Sequence, residues 1–447
     1  LLAFYDESND LKDRQINNIP ILGSFSKLER LKDQFPDLEV WLAMPSIQTK
    51  KRREIIAQLE NIKVAVRTVP SFHELITDQK TMADIQNLSL DDLLPRARVE
   101  RDILGDSQDK TFFISGAGGS IGSEIVRQLM DSKPRKVILC DISEFNLFKV
   151  ERECQAIALS KNLEVEIIPI LGDIKNISSM KFLFQKYKIN NVYHAAAYKH
   201  VPLVEDVNNI VQACENNVIG TANLANVAME SNVESFVMIS TDKAVRPSNV
   251  MGASKRMAEM VIQSLNTLES STKFSMVRFG NVLNSSGSVI PLFIEQISKG
   301  GPVTLTHKDV TRYFMTIPEA SNLVLQASEM ANGGEVFILD MGEQVKIYDL
   351  AKKLIHLSGR SVASESGGEG IEIRDVGLRP GEKMYEELLI SGAEIATENP
   401  KIFKSIEQFP ANDVINQTIE EIKLAIANND HKTIITIFET HVEGYSS

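Results

Sequence analysis

Three glycines at a regular spacing are the first sign of chemistry in the chain. Gly116, Gly119 and Gly122 lie between an apolar run, residues 111–115, and a helix-like run, residues 123–130. Positions without a side chain permit a tight turn, in which backbone N–H groups at a helix N-terminus approach a pyrophosphate closely. The spacing therefore predicts a dinucleotide-binding loop.

A carboxylate follows the next predicted strand. Asp141 lies 19 residues beyond Gly122, where an acidic side chain accepts hydrogen bonds from the adenosine ribose and repels a 2′-phosphate. This favours NAD over NADP as the cofactor. The alternative is a structural turn with a capping aspartate, and the strand–helix context together with the acidic partner argues against it.

Two further predicted strand ends suit the same cofactor. Asp173 and Ile174 are expected to border the adenine, and the small side chains of residues 195–197 let a dinucleotide pass close to the backbone. His194 and His200 lie nearby without a third ligand at a zinc-like spacing. We interpret both histidines as packing or hydrogen-bonding residues and expect no metal site.

The elements that position these residues follow from the alternation of apolar and helix-like runs. Strands are predicted over residues 111–115, 136–140, 165–170, 191–195, 235–240 and 274–279. This succession predicts an α/β fold with a doubly wound parallel Rossmann sheet, whose ligand crevice lies outside the carboxyl ends of the strands. From about residue 280 the pattern fades, and we expect a C-terminal substrate-binding part with a flexible loop at 364–370.

Residues 1 to about 80 alternate strand and helix patterns without a glycine-rich turn, which indicates a truncated Rossmann-like domain. We place this domain and a connector in residues 1–104, and an NAD-binding catalytic domain in residues 105–447. Because the chain starts inside a predicted strand and without Met, we expect a fragment of a longer protein. Any membrane anchor upstream is outside this sequence.

The composition limits the classes of function. The 447 residues include 48 Lys and Arg against 60 Asp and Glu, a net charge of −12 at pH 7, with 43% hydrophobic and 24% charged residues. These proportions are typical of a soluble globular enzyme, and the acidic balance argues against nucleic-acid binding. Three cysteines without a CxxC pair indicate a reducing, cytosolic-side setting.

A polar cluster follows the fifth predicted strand. Thr241, Asp242 and Lys243 come directly after it, and Met251 and Lys255 share one face of the next predicted helix. Here the chain resembles the extended short-chain dehydrogenase/reductase superfamily, which has Ser or Thr at the strand end and Tyr-x-x-x-Lys on the helix. Met251 stands where that superfamily has its tyrosine.

This departure narrows the resemblance. With Thr-Asp-Lys and Met-x-x-x-Lys, the segments Ala-Ala-Ala-Tyr-Lys-His-Val-Pro at 195–202, Arg-Phe-Gly-Asn-Val-Leu at 278–283 and Leu-Arg-Pro-Gly-Glu-Lys at 378–383 look like the bacterial UDP-N-acetylglucosamine (UDP-GlcNAc) 4,6-dehydratases. The likeness covers about residues 90 to 410 and is to the large membrane-anchored branch, which serves protein N-glycosylation, capsule and O-antigen synthesis. It implies a location at the cytoplasmic face of the bacterial inner membrane, and we expect a homo-oligomer.

The resemblance also implies a reaction and its residues. NAD takes hydride from sugar C4, a base removes the acidified C5 proton while an acid protonates the leaving C6 hydroxyl, and hydride returns to C6. Asp242 is implied as the acid and Lys243 as the base, which requires pKa values shifted toward neutrality; burial or the nearby Lys255 favours a lowered pKa for Lys243. Lys255 is implied to bind the nicotinamide ribose, and Thr241 the C4 oxygen.

Met251 leaves one step open. With no tyrosine at this position, Thr241, an ordered water or a relay through the cofactor ribose are the candidates that deprotonate the C4 hydroxyl. From the residues alone, Asp242 and Lys243 have the alternative of a solvated charge pair in a turn, and Met251 that of a core residue.

The expected site residues form two groups. The cofactor contacts are Gly116, Gly119, Ser120, Ile121, Gly122, Asp141, Ser143, Asn146, Asp173, Ile174, Ala195, Ala196, Ala197, Lys199 and Lys255. The substrate contacts are Lys199, Asn281, Val289, Pro291, Phe293, Thr304, Arg379 and Glu382. Arg379 and Glu382 suit a diphosphate and a ribose, because guanidinium groups bind phosphate oxygens bidentately, and Thr304 is expected beside the uracil. A structural role is the alternative for each substrate contact.

Two other functions compete with the dehydratase. A nucleotide-sugar 4-epimerase also begins with oxidation at C4, but it needs no acid and base at C6 and C5, so Asp242 and Lys243 argue against it. The other alternative is a catalytically inactive NAD-sensing scaffold, in which the absence of the tyrosine indicates that catalysis has been lost. For the dehydratase, the resemblance to the Met-bearing branch favours retention at C5.

Overall fold

A computed structural model describes residues 1–6, 10–11, 14–44, 47, 49–69, 86–87, 107–283, 289–363, 370–388 and 394–446. The chain forms two compact units. The small unit comprises Leu1–Arg98, Ser288–Asp309 and Lys346–Gly377, and the large unit comprises Val99–Gly287, Val310–Val345 and Leu378–Ser447. The predicted boundary near residue 105 and the loop at 364–369 lie outside the described residues, and the predicted division into two sequential domains stays a prediction.

The strands, in chain order, are β1 Phe4–Tyr5, β2 Gln15–Ile16, β3 Ile19–Leu22, β4 Glu39–Leu42, β5 Ala65–Thr68, β6 Gln86–Asn87, β7 Thr111–Ser115, β8 Lys136–Asp141, β9 Glu166–Leu171, β10 Asn191–His194, β11 Ser235–Ile239, β12 Lys273–Arg278, β13 Asn281–Val282, β14 Val303–Leu305, β15 Thr311–Arg312, β16 Phe314–Met315, β17 Val336–Leu339, β18 Val345–Lys346, β19 Ile373–Asp375, β20 Ile395–Ala396 and β21 Ile402–Ser405.

The α-helices are α1 Phe25–Gln34, α2 Thr49–Ile62, α3 Ser120–Leu129, α4 Glu144–Lys161, α5 Ile177–Tyr187, α6 Val201–Val204, α7 Ile210–Cys214, α8 Thr221–Glu230, α9 Val250–Leu265, α10 Val289–Ser298, α11 Ile317–Met330, α12 Ile347–Leu357, α13 Asn412–Ala427 and α14 His431–His441. None of the helices in the described part of the chain combines the length and the apolar character that a membrane span requires.

The large unit is built on one twisted sheet with the strand order β20-β21-β17-β12-β11-β10-β7-β8-β9. The seven strands from β17 to β9 pair in parallel, whereas β21 and β20 are antiparallel. The order reverses between β7 and β10, so a crevice opens at the carboxyl ends of these two strands. The predicted doubly wound Rossmann sheet is therefore confirmed.

The inner parallel strands are mostly apolar along their central residues because helices cover both faces of the sheet. Phe112 and Ile114 of β7 point to the side covered by α3 and α11, where Ile125 and Leu323 pack. Alternate residues such as Phe113 point to the side covered by α5 and α8. The strand predictions were accurate because short apolar runs that alternate with longer helix-like runs are typical of parallel strands buried between helices.

Helix α9 is buried at every position from Val250 to Leu265. The pair α13 and α14 covers it, and Ile415, Ile419 and Phe438 pack in one apolar cluster with Met257 and Val261. Sequence patterns beyond residue 280 did not predict this C-terminal helical pair.

A cluster of buried charged side chains packs against α9. The Arg278 guanidinium is fully buried, with Nη2 2.5 Å from Glu259 Oε2 and Nη1 2.5 Å from Glu407 Oε1. Arg256 Nη1 lies 3.1 Å from Glu259 and 3.0 Å from Glu407, and Ser240 Oγ donates to Glu259 Oε1 at 2.6 Å. The two arginines and two glutamates neutralise one another and connect β12, α9 and the segment after β21.

The small unit contains two three-stranded sheets, β1-β3-β2 and β4-β5-β6. β1 pairs in parallel with β3 and β4 with β5, whereas β2 and β6 are antiparallel edges. The sequence analysis missed the β2–β3 hairpin, whose turn residues Asn17 and Asn18 have φ values of 50° and 64°. Asparagine tolerates this left-handed region better than most residues.

Candidate active site

The glycine loop follows β7 and leads into α3. Gly116 has a φ of +67°, and a Cβ there would lie 2.7 Å from the backbone nitrogen of Ala196. A Cβ on Gly122 would lie 2.1 Å from the Gly116 carbonyl oxygen, so both positions require glycine. The loop presents the first N–H groups of α3, those of Ser120 and Ile121, which have no partner within a helix.

Asp141 connects this loop to the following helix. Its Oδ2 accepts a hydrogen bond from Gly118 N and its Oδ1 one from Ser143 N, both at 2.8 Å. Ser143 Oγ caps α4 by accepting from Asn146 N at 3.4 Å, and Gly119 is the N-cap residue of α3. A carboxylate has about four acceptor positions, so Asp141 also serves the structural role weighed above and still has room for ribose hydroxyls. Loop and carboxylate together fit a dinucleotide.

The ends of β9 and β10 border the same crevice. Asp173 Oδ1 accepts from Lys175 N at 2.9 Å, and the side chain of Ile174 is 4% exposed within the core. Residues 195–197 are partly exposed after β10, and Lys199 is exposed. The structure therefore places Ala195 and Ala196 against Gly116 of the glycine loop, whereas Ile174 is occupied by packing.

His194 is a hydrogen-bonding residue, as interpreted from the sequence. Its Nε2 lies 2.8 Å from Thr221 Oγ1, whose hydroxyl donates to the Asn217 carbonyl oxygen at 2.7 Å. Nε2 must therefore carry the proton, and Nδ1 accepts from Ser115 Oγ at 2.7 Å. Burial, with a smaller effect of the Lys255 charge, lowers the pKa of His194 to about 3. The imidazole stays neutral and joins β7 and β10 to the π-helical stretch Glu215–Gly220.

The polar cluster after β11 forms one 3₁₀ turn, Asp242–Ala244. Thr241 Oγ1 accepts from Lys243 N at 3.3 Å and donates to Asp242 Oδ1 at 2.9 Å. Asp242 is 1% exposed, and its Oδ2 is buried without a hydrogen-bond partner among the described residues. Buried polar atoms are rarely unpaired, so this oxygen is an exception, and a Cβ added at Gly280 would lie 3.0 Å from it.

Lys243 is held by three oxygens. Its Nζ lies 3.0 Å from Asp242 Oδ1, 3.2 Å from Asn281 Oδ1 and 3.5 Å from Glu386 Oε1. Burial lowers the pKa of Lys243, but the charges of Asp242 and Glu386 outweigh burial and the repulsion from Arg312, so the pKa lies above its usual value. The expectation of a lowered Lys243 pKa is therefore wrong for the ligand-free chain, and Lys255 does not cause one.

Lys255 and Met251 lie one turn apart on α9, but their surroundings differ. Lys255 Nζ donates to the Ile239 carbonyl oxygen at 2.8 Å, and burial lowers its pKa to about 8 against the opposing charge of Glu259. Met251 is 2% exposed and belongs to the apolar cluster between α9 and the C-terminal helices. Met251 thus has the core position that was its alternative, and Lys255 is the group of this pair able to exchange protons near pH 8.

Two buried charges beside Lys243 escaped the sequence analysis. Arg312 is 8% and Glu386 6% exposed. Arg312 Nη2 lies 2.7 Å from Glu382 Oε1, and its Nε lies 3.8 Å from Glu386 Oε1. Neither residue lies in a periodic pattern. Arg312 is a charged residue beside a short apolar run, residues 313–315, whereas Glu386 lies next to a second glutamate and gives no comparable signal.

The turn that carries Arg379 is fixed to the start of α9. Ser248 Oγ and Asn249 Nδ2 both donate to the Gly381 carbonyl oxygen, at 2.8 and 3.0 Å. Glu382 N donates to the Arg379 carbonyl oxygen at 3.0 Å. The Arg379 side chain is exposed, and the described residues give its guanidinium no hydrogen bond or ion pair. It is free to bind an anion, whereas Glu382 is already paired with Arg312.

The remaining expected substrate residues belong to the small unit. Phe293 is fully buried, while Val289 and Pro291 lie on the first turn of α10, where Pro291 is exposed. Thr304 is occupied by Gln296, which accepts from Thr304 N at 3.0 Å and donates to its Oγ1 at 2.8 Å. Phe293 and Thr304 thus have structural contacts, and all four assignments stay predictions.

Comparison with known proteins identifies the family. A family model described as polysaccharide biosynthesis protein matches residues 112–407. The chain belongs to this polysaccharide biosynthesis protein family. It is 43% identical over 439 residues to the capsular polysaccharide biosynthesis protein CapD of Staphylococcus aureus, covering 97% of this chain and 70% of CapD. It is 44% identical over 391 residues to the probable polysaccharide biosynthesis protein EpsC of Bacillus subtilis, covering 87% of this chain but only 63% of EpsC.

A further sequence relative and two solved structures extend the comparison. A UDP-glucose 4-epimerase of Rickettsia rickettsii is 36% identical over 293 residues, 64% of this chain and 80% of the epimerase. The X-ray structure of Pen from Bacillus thuringiensis is 33% identical, with a TM-score of 0.57 over 73% of this chain and 98% of Pen. DesIV, a dTDP-glucose 4,6-dehydratase from Streptomyces venezuelae solved with NAD, has a TM-score of 0.50 at 20% identity, over 62% of this chain and 88% of DesIV. At that identity, DesIV supports the Rossmann fold alone.

Proposed function

We propose that the chain catalyses the NAD-dependent 4,6-dehydration of UDP-GlcNAc to a UDP-2-acetamido-2,6-dideoxy-4-keto-hexose, with retention at C5, for bacterial N-glycan, capsule or O-antigen synthesis. The observation that carries this proposal is the contact of Lys243 Nζ with Asp242 Oδ1 at 3.0 Å, beside the dinucleotide crevice. An adjacent base and acid suit the removal of water from neighbouring carbons. Membership of the polysaccharide biosynthesis family supports the class of pathway.

When bound, NAD supplies hydride removal at C4 and hydride return at C6. Gly116 and Gly122 would let it approach the backbone, and Asp141 would accept its adenosine ribose hydroxyls. Lys255 would bind the nicotinamide ribose, since its buried ammonium has only the Ile239 carbonyl oxygen as a hydrogen-bond acceptor among the described residues. Ser120, Ile121 and the alanines at 195–197 complete this proposed cofactor site.

Asp242 and Lys243 perform the elimination in this proposal. Transfer of one proton from Lys243 to Asp242 converts the ion pair into an amine and a carboxylic acid, which are the forms the step requires. The Lys243 amine then removes the C5 proton while Asp242 protonates the leaving C6 hydroxyl. Lys243 returns a proton to C5 from the face on which it acted, which gives retention. Asp242 has then lost its proton to the departing water, and the proton that the C4 hydroxyl releases on oxidation restores the starting charge of the pair. Thr241, which donates a hydrogen bond to Asp242 Oδ1, keeps the acid oriented and contacts the C4 oxygen.

The substrate side of the proposal is built from two parts of the large unit. Asn281 fixes the Lys243 amine, and Arg379, with its free guanidinium, binds the diphosphate. Glu382 contacts the ribose of UDP when its ion pair with Arg312 opens. We further propose that the full-length protein is a membrane-anchored homo-oligomer at the cytoplasmic face of the inner membrane, as the sequence resemblance implies.

A nucleotide-sugar 4-epimerase is the second candidate, because the Rickettsia relative bears that name. Oxidation at C4 and return of hydride to C4 would need the cofactor, Thr241 and Lys255. The buried contact of Asp242 with Lys243 has no function in that reaction. This difference favours the dehydratase.

The test is turnover of UDP-GlcNAc in D₂O, followed by mass spectrometry and NMR. Wild type should give a 6-deoxy-4-keto product with deuterium at C5. Lys243→Ala and Asp242→Asn should slow product formation by about 10²- to 10⁴-fold, and only Lys243→Ala should also lose C5 exchange. Lys181→Ala, which removes an exposed ion pair with Glu230, is the matched control and should retain wild-type activity. Near wild-type product and deuterium incorporation in both active-site variants would contradict the mechanism.

A further inference from the structure

Lys243 has a second carboxylate neighbour that the proposed reaction does not use. Glu386 Oε1 lies 3.5 Å from Lys243 Nζ. The two residues are far apart in the sequence, but their side chains belong to the same cluster. Asp242, Asn281 and Glu386 thus surround one ammonium group from three separate segments. Such an arrangement fixes both the place and the charge of the amine.

Glu386 is built into the large unit. Its side chain is 5% exposed, and its charge is balanced by Lys243 and by Arg312 Nε at 3.8 Å. The next residue, Glu387, is 44% exposed and pairs at the surface with Arg246 at 2.7 Å and Lys383 at 3.9 Å. Two adjacent glutamates therefore occupy different environments, and only one of them faces the proposed base.

We propose that Glu386 is a positioning residue for Lys243: its carboxylate holds the ammonium against Asp242 and Asn281, and its charge sets the pH at which Lys243 releases its proton. The inference rests on the proposed function in one respect, namely that Lys243 is the base of the elimination. The geometric part, the control of the Lys243 amine by Glu386, does not depend on turnover.

The charges around Lys243 determine the direction of the effect. Asp242 on its own turn and Glu386 favour the ammonium form, while burial and Arg312 oppose it. Arg312 is itself neutralised in part by Glu382 at 2.7 Å. Removing the Glu386 charge leaves Asp242 alone against burial and Arg312, so the Lys243 pKa must fall. An opposite charge within about 4–6 Å typically moves a pKa by about one unit or more.

The experiment measures the Lys243 amine directly. The 447-residue chain is labelled with a trace of isotopic acetic anhydride across a pH series, and mass spectrometry of the Lys243 peptide gives the midpoint at which the free amine appears. Glu386→Gln, which preserves size, should move this midpoint to lower pH by about one unit. Glu387→Gln should leave it unchanged. Glu386→Asp keeps the negative charge but moves it away from Lys243 Nζ, and it should shift the midpoint in the same direction by a smaller amount.

A second readout is the pH profile of C5 deuterium exchange with UDP-GlcNAc. Its acidic limb should move to lower pH in Glu386→Gln in parallel with the labelling midpoint, a change that loss of packing alone does not cause. An unchanged midpoint in Glu386→Gln, or equal shifts in Glu386→Gln and Glu387→Gln, would overturn the inference. If Glu386→Gln does not fold, an unchanged midpoint in Glu386→Asp has the same meaning. A shifted midpoint in a chain that makes no keto sugar would contradict the proposed reaction and leave the positioning role intact.

Discussion

The buried charge cluster behind α9 gives a stability prediction that the structure quantifies. Glu407 is 2% exposed in its side chain and contacts Arg278 Nη1 at 2.5 Å and Arg256 Nη1 at 3.0 Å. Glu407→Gln preserves the shape and removes one negative charge. Two buried guanidinium groups then share the single carboxylate of Glu259, and one positive charge is left without compensation in the core.

The magnitude follows from the burial. Breaking a buried ion pair by removing one partner costs about 3–5 kcal/mol, because the remaining charge stays desolvated. Native domains are stable by about 5–15 kcal/mol, so the variant should lose a large part of the stability of the large unit. Glu259, whose pKa is lowered to about 2 mainly by Arg278 against the effect of burial, contributes stability that is fully present above about pH 4.5 and is lost as the pH falls toward 2.

Hydrogen exchange of the α9 amides and urea unfolding followed by circular dichroism measure this loss. The control is Glu166→Gln, which removes an ion pair with Lys136 whose two side chains are 54% and 27% exposed. Exposed pairs contribute about 0–1 kcal/mol, so the control should remain close to wild type. Equal losses in the two variants, or no loss in Glu407→Gln, would refute the reasoning that burial makes this cluster costly to break.

Three further predictions concern the site. Lys255→Met should stop substrate oxidation yet raise the melting temperature at pH 7. Burying the Lys255 charge costs stability below pH 8, and this cost is relieved only as the pH rises from about 8 toward 10.5. An unchanged or lower melting temperature would contradict the desolvation argument. The cofactor-free chain should bind NAD about ten-fold or more tightly than NADP by titration calorimetry, since Asp141 repels a 2′-phosphate; equal affinities would remove Asp141 from the ribose. Arg379→Ala should raise the dissociation constant of UDP by about 10- to 100-fold, the value of one charged hydrogen bond, with NAD binding unchanged; wild-type affinity for UDP would exclude a diphosphate contact.

The sheet and its cofactor loop were predictable because their signals are local. The inner parallel strands are short, mostly apolar runs buried on both faces, and the glycine loop needs side-chain-free positions at Gly116 and Gly122 because a Cβ at either position would meet nearby backbone atoms. The same locality made Asp141 predictable. The three C-terminal additions to the sheet, β17, β20 and β21, were missed because they lie outside that regular alternation.

The charge environment of Lys243 was not predictable. Lys243, Arg312 and Glu386 are separated by many tens of residues in the chain, and only the folded sheet brings them together. Burial alone pointed to a lowered Lys243 pKa, and the two carboxylates reverse this direction. For Met251, the position in the helix pattern suggested the active site. In the structure, Met251 packs against the C-terminal helices and has a core environment.

The fate of the C4 hydrogen tests the central claim most directly. UDP-GlcNAc carrying deuterium at C4 is converted by the wild-type chain with NAD, and NMR locates the label in the product. A 4,6-dehydratase removes hydride from C4 and returns it to C6, so the deuterium should appear on the new C6 methyl group of a 4-keto sugar. Deuterium retained at C4 of an epimerised sugar, or no product from a chain that binds both NAD and UDP-GlcNAc, would contradict the account.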